Sequence, residues 1–239
     1  MSLAKYMTQQ VIGYEPPNAT VLETVTLPAI ASEFSRGITF DPSGNLILVT
    51  VSSSGSYVGR IRTYDGFSAT QIGSFIQFPG NPRYLEHVRF DESGDLIAIN
   101  TGFNTYNPGV LAKYDGKSNT ELSSFNTANR AIGAMEVIDG DVVWADQSGN
   151  VRRHDGFSST ILETWTTFSG GYPGGMTYDG RNLIATGSPS NKMEISNGVG
   201  DNTLFDSVTL DHYVTDFCFF DGHVYTLQNP RTIRKLGKG

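Results

Sequence analysis

Four side chains have the types needed for chemistry, provided the fold gathers them: Arg36, Glu86, His87 and Asp216. Each stands at the head of a short apolar run, "GITF" at 37–40, "VRF" at 88–90 and "FCFF" at 217–220. Two carboxylates and an imidazole form a donor set for a divalent ion, with Zn²⁺ or Mn²⁺ suited to the histidine. The same set is equipped for acid–base work, because like charges in one pocket push their pKa values apart. The competing arrangement is structural: Arg36 pairs with Glu86 or Asp216, and the group is merely hydrated. The expectation is therefore conditional. No cofactor is required, and a divalent metal on Glu86, His87 and Asp216 is the one candidate.

A second group is suited to recognition. Tyr57, Tyr84, Asn104, Tyr106, Tyr172, His212 and Tyr213 lie in segments rich in Tyr, Asn, Ser, Gly and Pro. That is the composition of adaptable binding surfaces, and also that of ordinary surface turns. The single cysteine, Cys218, sits in the apolar "DFCFF" and reads as a buried, inert thiol. Trp144 reads as core, Trp165 as a strand end and His154 as a structural turn residue. His223 belongs to a turn remote from the other candidates. "DPSGN" at 41–45 and "DESGD" at 91–95 faintly suggest calcium loops but lack their twelve-residue ligand spacing. The chain contains no P-loop, G-x-S-x-G or H-E-x-x-H motif.

What must position these residues is a repeat. "YDGFSAT" at 64–70 returns as "YDGKSNT" at 114–120, as "HDGFSST" at 154–160 and, degraded, as "SNGVGDNT" at 196–203. Upstream of each runs a second shared element: "GITFDPSGNLILVT", "HVRFDESGDLIAIN", "AMEVIDGDVVWAD" and "GMTYDGRNLIATG". A fifth copy, "FCFFDGHVYTLQ", occupies 217–228. Each unit reads as four strands, A to D: a short apolar strand, a Gly turn, a continuous apolar strand, a strand ending at the Asp-Gly step, and an alternating strand. Four strands recurring about every 40–50 residues predict an all-β, five-bladed β-propeller. The predicted blades cover about 35–78, 86–126, 132–167, 173–209 and 215–236 plus 11–27, within one domain spanning 1–239.

The last unit lacks strand D, and "NATVLETVTL" at 18–27 matches it, so the N-terminal strand is expected to close the ring. Tyr14-Glu15 also matches the end of a strand C, which leaves both termini competing for that position. The Asp-Gly step reads as scaffold: Gly supplies positive φ and the short polar side chains satisfy nearby amides, a need that every blade shares. Function then belongs to the opposite face. There the B–C loops (51–59, 101–109, 147–150, 187–192, 228–231) and the D–A connections vary in length.

Bulk properties narrow the field. Of 239 residues, 38% are hydrophobic and 17% charged, which suits a globular chain rather than a disordered or membrane-inserted one. A net charge of −7 with scattered basic residues argues against a nucleic-acid partner. The densest basic cluster, Arg231, Arg234, Lys235 and Lys238, reads as a solvated last strand. Residues 1–10 lack the apolar centre of a signal peptide, and location stays open between the cytoplasm and a viral or cell-surface assembly.

On "RGITFDPSGNLILVT" the chain resembles the NHL and SMP-30/gluconolactonase-like propellers, whose repeats open with the same Gly-hydrophobic-x-hydrophobic-Asp-x-x-Gly-Asn phrase. The resemblance covers the A–B element of each blade. It implies a propeller, usually of six blades. For the lactonases it implies a divalent metal at the channel mouth, held by Glu, Asn and Asp just before strand A. Glu86 and Asp216 stand at matching places, whereas Gly133 and Gly174 stand where an Asn or Asp is wanted. Three functional expectations follow. The first is a non-catalytic binding or assembly module gripping a protein or glycan partner. The others are a metal-dependent hydrolase or lactonase, and a multivalent sugar-binding lectin.

Overall fold

The computed structural model describes residues 17–52, 58–78, 83–102, 109–127, 131–146, 149–166, 174–187, 191–200, 203–228 and 230–238. The first strand, β1 (Pro17–Thr26), belongs to the last blade. Blade 1 holds β2 (Glu33–Phe40), β3 (Leu46–Ser52), β4 (Gly59–Tyr64) and β5 (Gln71–Gln77). Blade 2 holds β6 (Arg83–Phe90), β7 (Leu96–Gly102), β8 (Val110–Tyr114) and β9 (Glu121–Asn126). Blade 3 holds β10 (Ala131–Ile138), β11 (Asp141–Asp146), β12 (Asn150–His154) and β13 (Ile161–Thr166). Blade 4 holds β14 (Met176–Tyr178), β15 (Leu183–Gly187), β16 (Lys192–Ser196) and β17 (Leu204–Thr209). Blade 5 holds β18 (Asp216–Phe220), β19 (His223–Gln228) and β20 (Thr232–Lys238), with β1 as its outer strand.

Every sheet is a four-stranded antiparallel meander, so the chain is a five-bladed β-propeller. The ring closes through β1, which pairs with β20 from Pro17 opposite Lys238 to Thr26 opposite Thr232. Strand C of the closing blade is therefore β20, which settles the competition between the termini; Tyr14 and Glu15 lie outside the described residues. Burial follows the layers. All seven residues of β3 are buried, whereas the outer strands expose Leu22, Ile72, Leu122 and Leu162.

Among the described residues the apolar core falls into five clusters, each at a junction between blades rather than within one. Ile38, Leu48 and Tyr64 of blade 1 pack on Tyr225, Leu227 and Ile233 of blade 5, and the other four clusters straddle the remaining junctions. A single blade cannot bury its faces alone, and stacking makes the core continuous around the ring.

The repeated Asp-Gly step is part of that stacking. In blades 1 to 3 the Asp N–H donates to the carbonyl of Thr70, Thr120 or Thr160, and the Ser68, Ser118 or Ser158 hydroxyl accepts from that same threonine's N–H. Gly66, Gly116 and Gly156 take φ of 53°, 52° and 54°, where a Cβ would be strained. The turn then aims its next residue at the preceding blade. Phe67 meets Tyr225 edge-on at 5.1 Å, Phe157 meets Phe125 at 5.2 Å, and Lys117 Nζ reaches Asp41 at 2.6 Å. The A–B turns are Asx turns: Asp41 Oδ1 accepts from the N–H groups of Ser43 and Asn45, and Asp91 Oδ1 from those of Ser93 and Asp95. Both repeated elements are scaffold.

Candidate functional site

The five A strands line the channel, and period-two alternation points two residues of each toward the axis. The first position holds Gly37, His87, Ala134, Gly175 and Asp216, and the second holds Thr39, Arg89, Glu136, Thr177 and Cys218. The strands approach so closely that a Cβ on Gly175 would lie 2.6 Å from Asp216 Cα, and one on Gly37 would lie 2.6 Å from the Glu86 carbonyl oxygen. Bulges precede these positions. Arg36 is the extra residue between Ser35 and Gly37, and Glu86 the extra one between Leu85 and His87. A bulge turns its residue away from the ladder.

Arg89 occupies the axis. It is 3% exposed and reaches strand A of every blade. Its Nη1 donates to the carbonyls of Ile38 (3.0 Å) and Val88 (2.8 Å), and its Nη2 to those of Met176 (2.7 Å) and Phe217 (2.6 Å). Nε donates to Glu136 Oε2 at 3.1 Å, supplying the blade 3 contact. Asp216 faces the guanidinium at 3.3 and 3.4 Å and also accepts from the N–H groups of Ile38 (2.9 Å) and Phe217 (2.8 Å). His87 Nδ1 lies 3.1 Å from Asp216 Oδ1, off the line that a hydrogen bond requires. Glu136 Oε2 additionally accepts from Thr177 Oγ1 at 2.9 Å.

Burial alone would raise the Asp216 carboxyl, but Arg89 and His87 overcome it and hold the group below the ordinary carboxylate range. For Glu136 burial prevails over the pull of Arg89, and its carboxyl is raised. Burial also works against the charge on Arg89, yet Asp216 and Glu136 hold that group above its usual value. The Cys218 thiol, buried beside them, is pushed well up and is poorly disposed to ionise.

Of the sequence candidates for chemistry, the fold brings His87 and Asp216 together. Glu86, half-buried in its bulge, does not join them: among the described residues no group of three His, Cys, Asp or Glu side chains could hold a metal ion. Both Asp216 oxygens are committed to backbone amides and to Arg89, and the guanidinium stands where a cation would sit. The donor set does not fit a divalent metal. Arg89 and Glu136 escaped the sequence reading, although one charged residue at the third place of "HVRF" and "AMEV" was a visible signal.

Of the recognition candidates, Tyr57, Asn104, Tyr106 and Tyr172 lie outside the described residues, and Tyr84 falls on β6. Tyr213 is 68% exposed on the connection between blades 4 and 5. His212 beside it is buried: Nδ1 faces Asp211 Oδ1 at 2.5 Å and Nε2 faces the Thr226 hydroxyl at 2.9 Å. It plugs the junction of blades 4 and 5 rather than lining a surface. Trp144 is core, and its indole N–H donates to His154 Nε2 at 2.9 Å, which leaves the proton on Nδ1 to face the Ser158 carbonyl at 2.8 Å.

No protein-family model matches the chain, and no curated protein matches it. Its fold is shared with solved structures. Glutaminyl cyclase from Myxococcus xanthus superposes with a TM-score of 0.71 at 10% identity, over 94% of this chain and 98% of that one. Luciferin-regenerating enzyme gives 0.59 at 16% identity, over 86% and 79%. A chain of a nidogen–laminin complex gives 0.57 at 16% identity, over 84% and 74%. At such identities the likeness is one of fold alone, and one architecture hosts many functions.

Proposed function

We propose that the chain is a non-catalytic binding or assembly module that grips a protein or glycan partner with its variable loop face. The observation that carries this reading is the Arg89 hub. The ionisable groups best placed for chemistry at the channel spend their hydrogen bonds on holding five blades together. The turn face is likewise occupied by blade-to-blade contacts. Surface recognition is left to the connections that differ from blade to blade, which is where rigid scaffolds carry function. A similar fold is found in a nidogen–laminin complex, so the architecture suits such use.

The test pairs two variants on glycan arrays and in partner pull-downs. Replacing Tyr57, Tyr106 and Tyr172 with Ala should abolish retention while leaving the melting temperature unchanged. Replacing Phe67 on the opposite face should lower the melting temperature and leave retention intact. The opposite pattern, or no retained ligand with the unmodified chain, overturns the proposal. The hydrolase alternative meets a separate check. Protein purified without chelator should carry no stoichiometric divalent ion and should melt at the same temperature with and without EDTA. A stoichiometric ion that disappears in Glu86→Gln would favour the enzyme.

A further inference from the structure

On strand C of several blades a basic residue has an acid of its own. Arg152 pairs with Asp146 at 2.7 Å, Arg234 with Asp211 at 3.0 Å, and Lys192 with Glu194 at 3.4 Å. Blade 1 breaks the pattern. Arg60 and Arg62, two apart on β4 and so on one face, share the single carboxylate of Glu33. Glu33 has a side-chain exposure of 2%; burial would raise its carboxyl, and the nearby Thr50 hydroxyl with the Arg60 and Arg62 guanidinium groups reverses that and lowers it.

A third guanidinium belongs to the same place. Arg231, between β19 and β20, stands at the junction where the ring closes, where the carbonyl of its neighbour Pro230 accepts from the Ser35 hydroxyl of blade 1. Burial pushes the Tyr64 hydroxyl up, and both Arg62 and Arg231 pull it back, which puts the two arginines within electrostatic reach of one atom. Among the described residues the Nε atoms of Arg60, Arg62 and Arg231 are all buried and have no hydrogen-bond partner. Among the described residues Arg60 and Arg62 pair with the one carboxylate of Glu33, and no ion pair joins Arg231 to an acid, in a chain of net charge −7. Desolvated donors without acceptors are costly, and native proteins leave few.

The local backbone serves this arrangement. A register shift in β5, with Gly73 at φ 64°, lays Phe75 beneath both guanidinium groups at 4.8 and 5.0 Å. The ring remains 41% exposed, and Gln77 stands beside it, 3.4 Å from Arg60. Glu33, Arg60 and Gln77 all adjoin the variable face, since Arg60 follows the 51–59 connection directly.

We infer that the junction of blades 5 and 1 is a binding site for the carboxylate of an acidic sugar, received by Arg60, Arg62 and Arg231 beside the exposed ring of Phe75. Guanidinium groups suit a planar carboxylate, the open ring offers a stacking surface, and the neighbouring amide can serve hydroxyls. The inference rests on the binding-module reading and narrows its ligand. It also sets a stoichiometry of one, because among the described residues no other blade repeats the constellation.

Calorimetric titration tests it with sialyllactose and a glucuronate-containing hyaluronan tetrasaccharide as probes, chitotetraose as neutral control and tetraglutamate as acidic-peptide control. The expected result is one equivalent of an acidic sugar bound, no binding of chitotetraose, and a loss of about tenfold or more in both Arg62→Gln and Arg231→Gln. Two variants on different blades guard against misfolding of either one. Failure of the unmodified chain to bind either acidic sugar overturns the inference, as does undiminished binding in both variants. Tetraglutamate binding as tightly as the sugars overturns the choice of ligand. Partner retention that depends on Tyr57, Tyr106 and Tyr172 but not on the arginines sinks this inference alone and leaves the module reading standing.

Discussion

Arg89 is one residue on which five strands depend. Removing it leaves Asp216 charged and buried, together with carbonyls of four blades that lose their donor. Arg89→Met should therefore cost about 3–5 kcal/mol in urea unfolding, the usual penalty for breaking a buried ion pair from one side. The two carboxylates are not equivalent. Asp216 is held ionised, and Glu136 is raised by burial. Asp216→Asn should cost several kcal/mol, and Glu136→Gln about 1 kcal/mol, the worth of an ordinary hydrogen bond. Equal losses would mean that the pull of Arg89 outweighs burial at Glu136.

His154 sets a second prediction at this scale. Burial first, then Arg152, lowers its pKa from 6.5, against the hydrogen bond of Ser158. Its Nε2 must stay unprotonated to accept from Trp144. Because the folded pKa lies below the unfolded one, this contribution is fully present above the unfolded value of 6.5 and is lost as pH falls through the folded value. Melting curves between pH 7 and 5 should show the loss. Part of it should disappear in His154→Tyr, which restores the residue that blades 1 and 2 carry at Tyr64 and Tyr114. His212, lowered by burial in the same direction, contributes to the remainder.

The elements show why the fold was legible and the channel was not. "YDGFSAT" and its copies declare themselves because a tight turn needs Gly at positive φ and Ser and Thr at fixed offsets, whatever surrounds it. The A–B phrase is equally local, since Asp41 and Asp91 bond amides two and four residues on. The charge inside the apolar phrase "HVRF" marks Arg89 as unusual, but nothing local says what it meets. Its partners, Ile38, Glu136, Met176 and Asp216, come from four other blades and meet only when the ring closes. The same limit explains Glu86, which stands next to His87 in sequence but is turned aside by its bulge. The turn pegs give a test at this level. Phe67→Ala and Phe157→Ala, half-buried against the neighbouring blade, should each cost about 1–3 kcal/mol in chemical unfolding. Leu122→Ala, exposed on an outer strand, should change stability by less than about 0.5 kcal/mol.

For the whole molecule, the decisive element is the pairing of β1 with β20. The core is distributed over five blade junctions, so no blade is independently buried. Deleting Pro17–Thr26 should leave β20 as an open edge, with size-exclusion chromatography reporting self-association and calorimetry a broadened transition. A sharp, monomeric transition would show that closure is dispensable.

The closing ladder also decides how the propeller answers tension. Pro17 lies opposite Lys238 at one end of an antiparallel pair, and Thr26 opposite Thr232 at the other. A load applied between Pro17 and Lys238 therefore acts across the rungs rather than along them. The rungs give way one at a time, like a zip, instead of sharing the force in shear. Tethered from those two points, the ring should open early and at low force, with blade 5 first to part. Anchored instead through two different blades, the same ladder bears load in parallel with its neighbours. A propeller built into an assembly by its end strand would thus act as the weak link, and one held by its loops as a rigid washer.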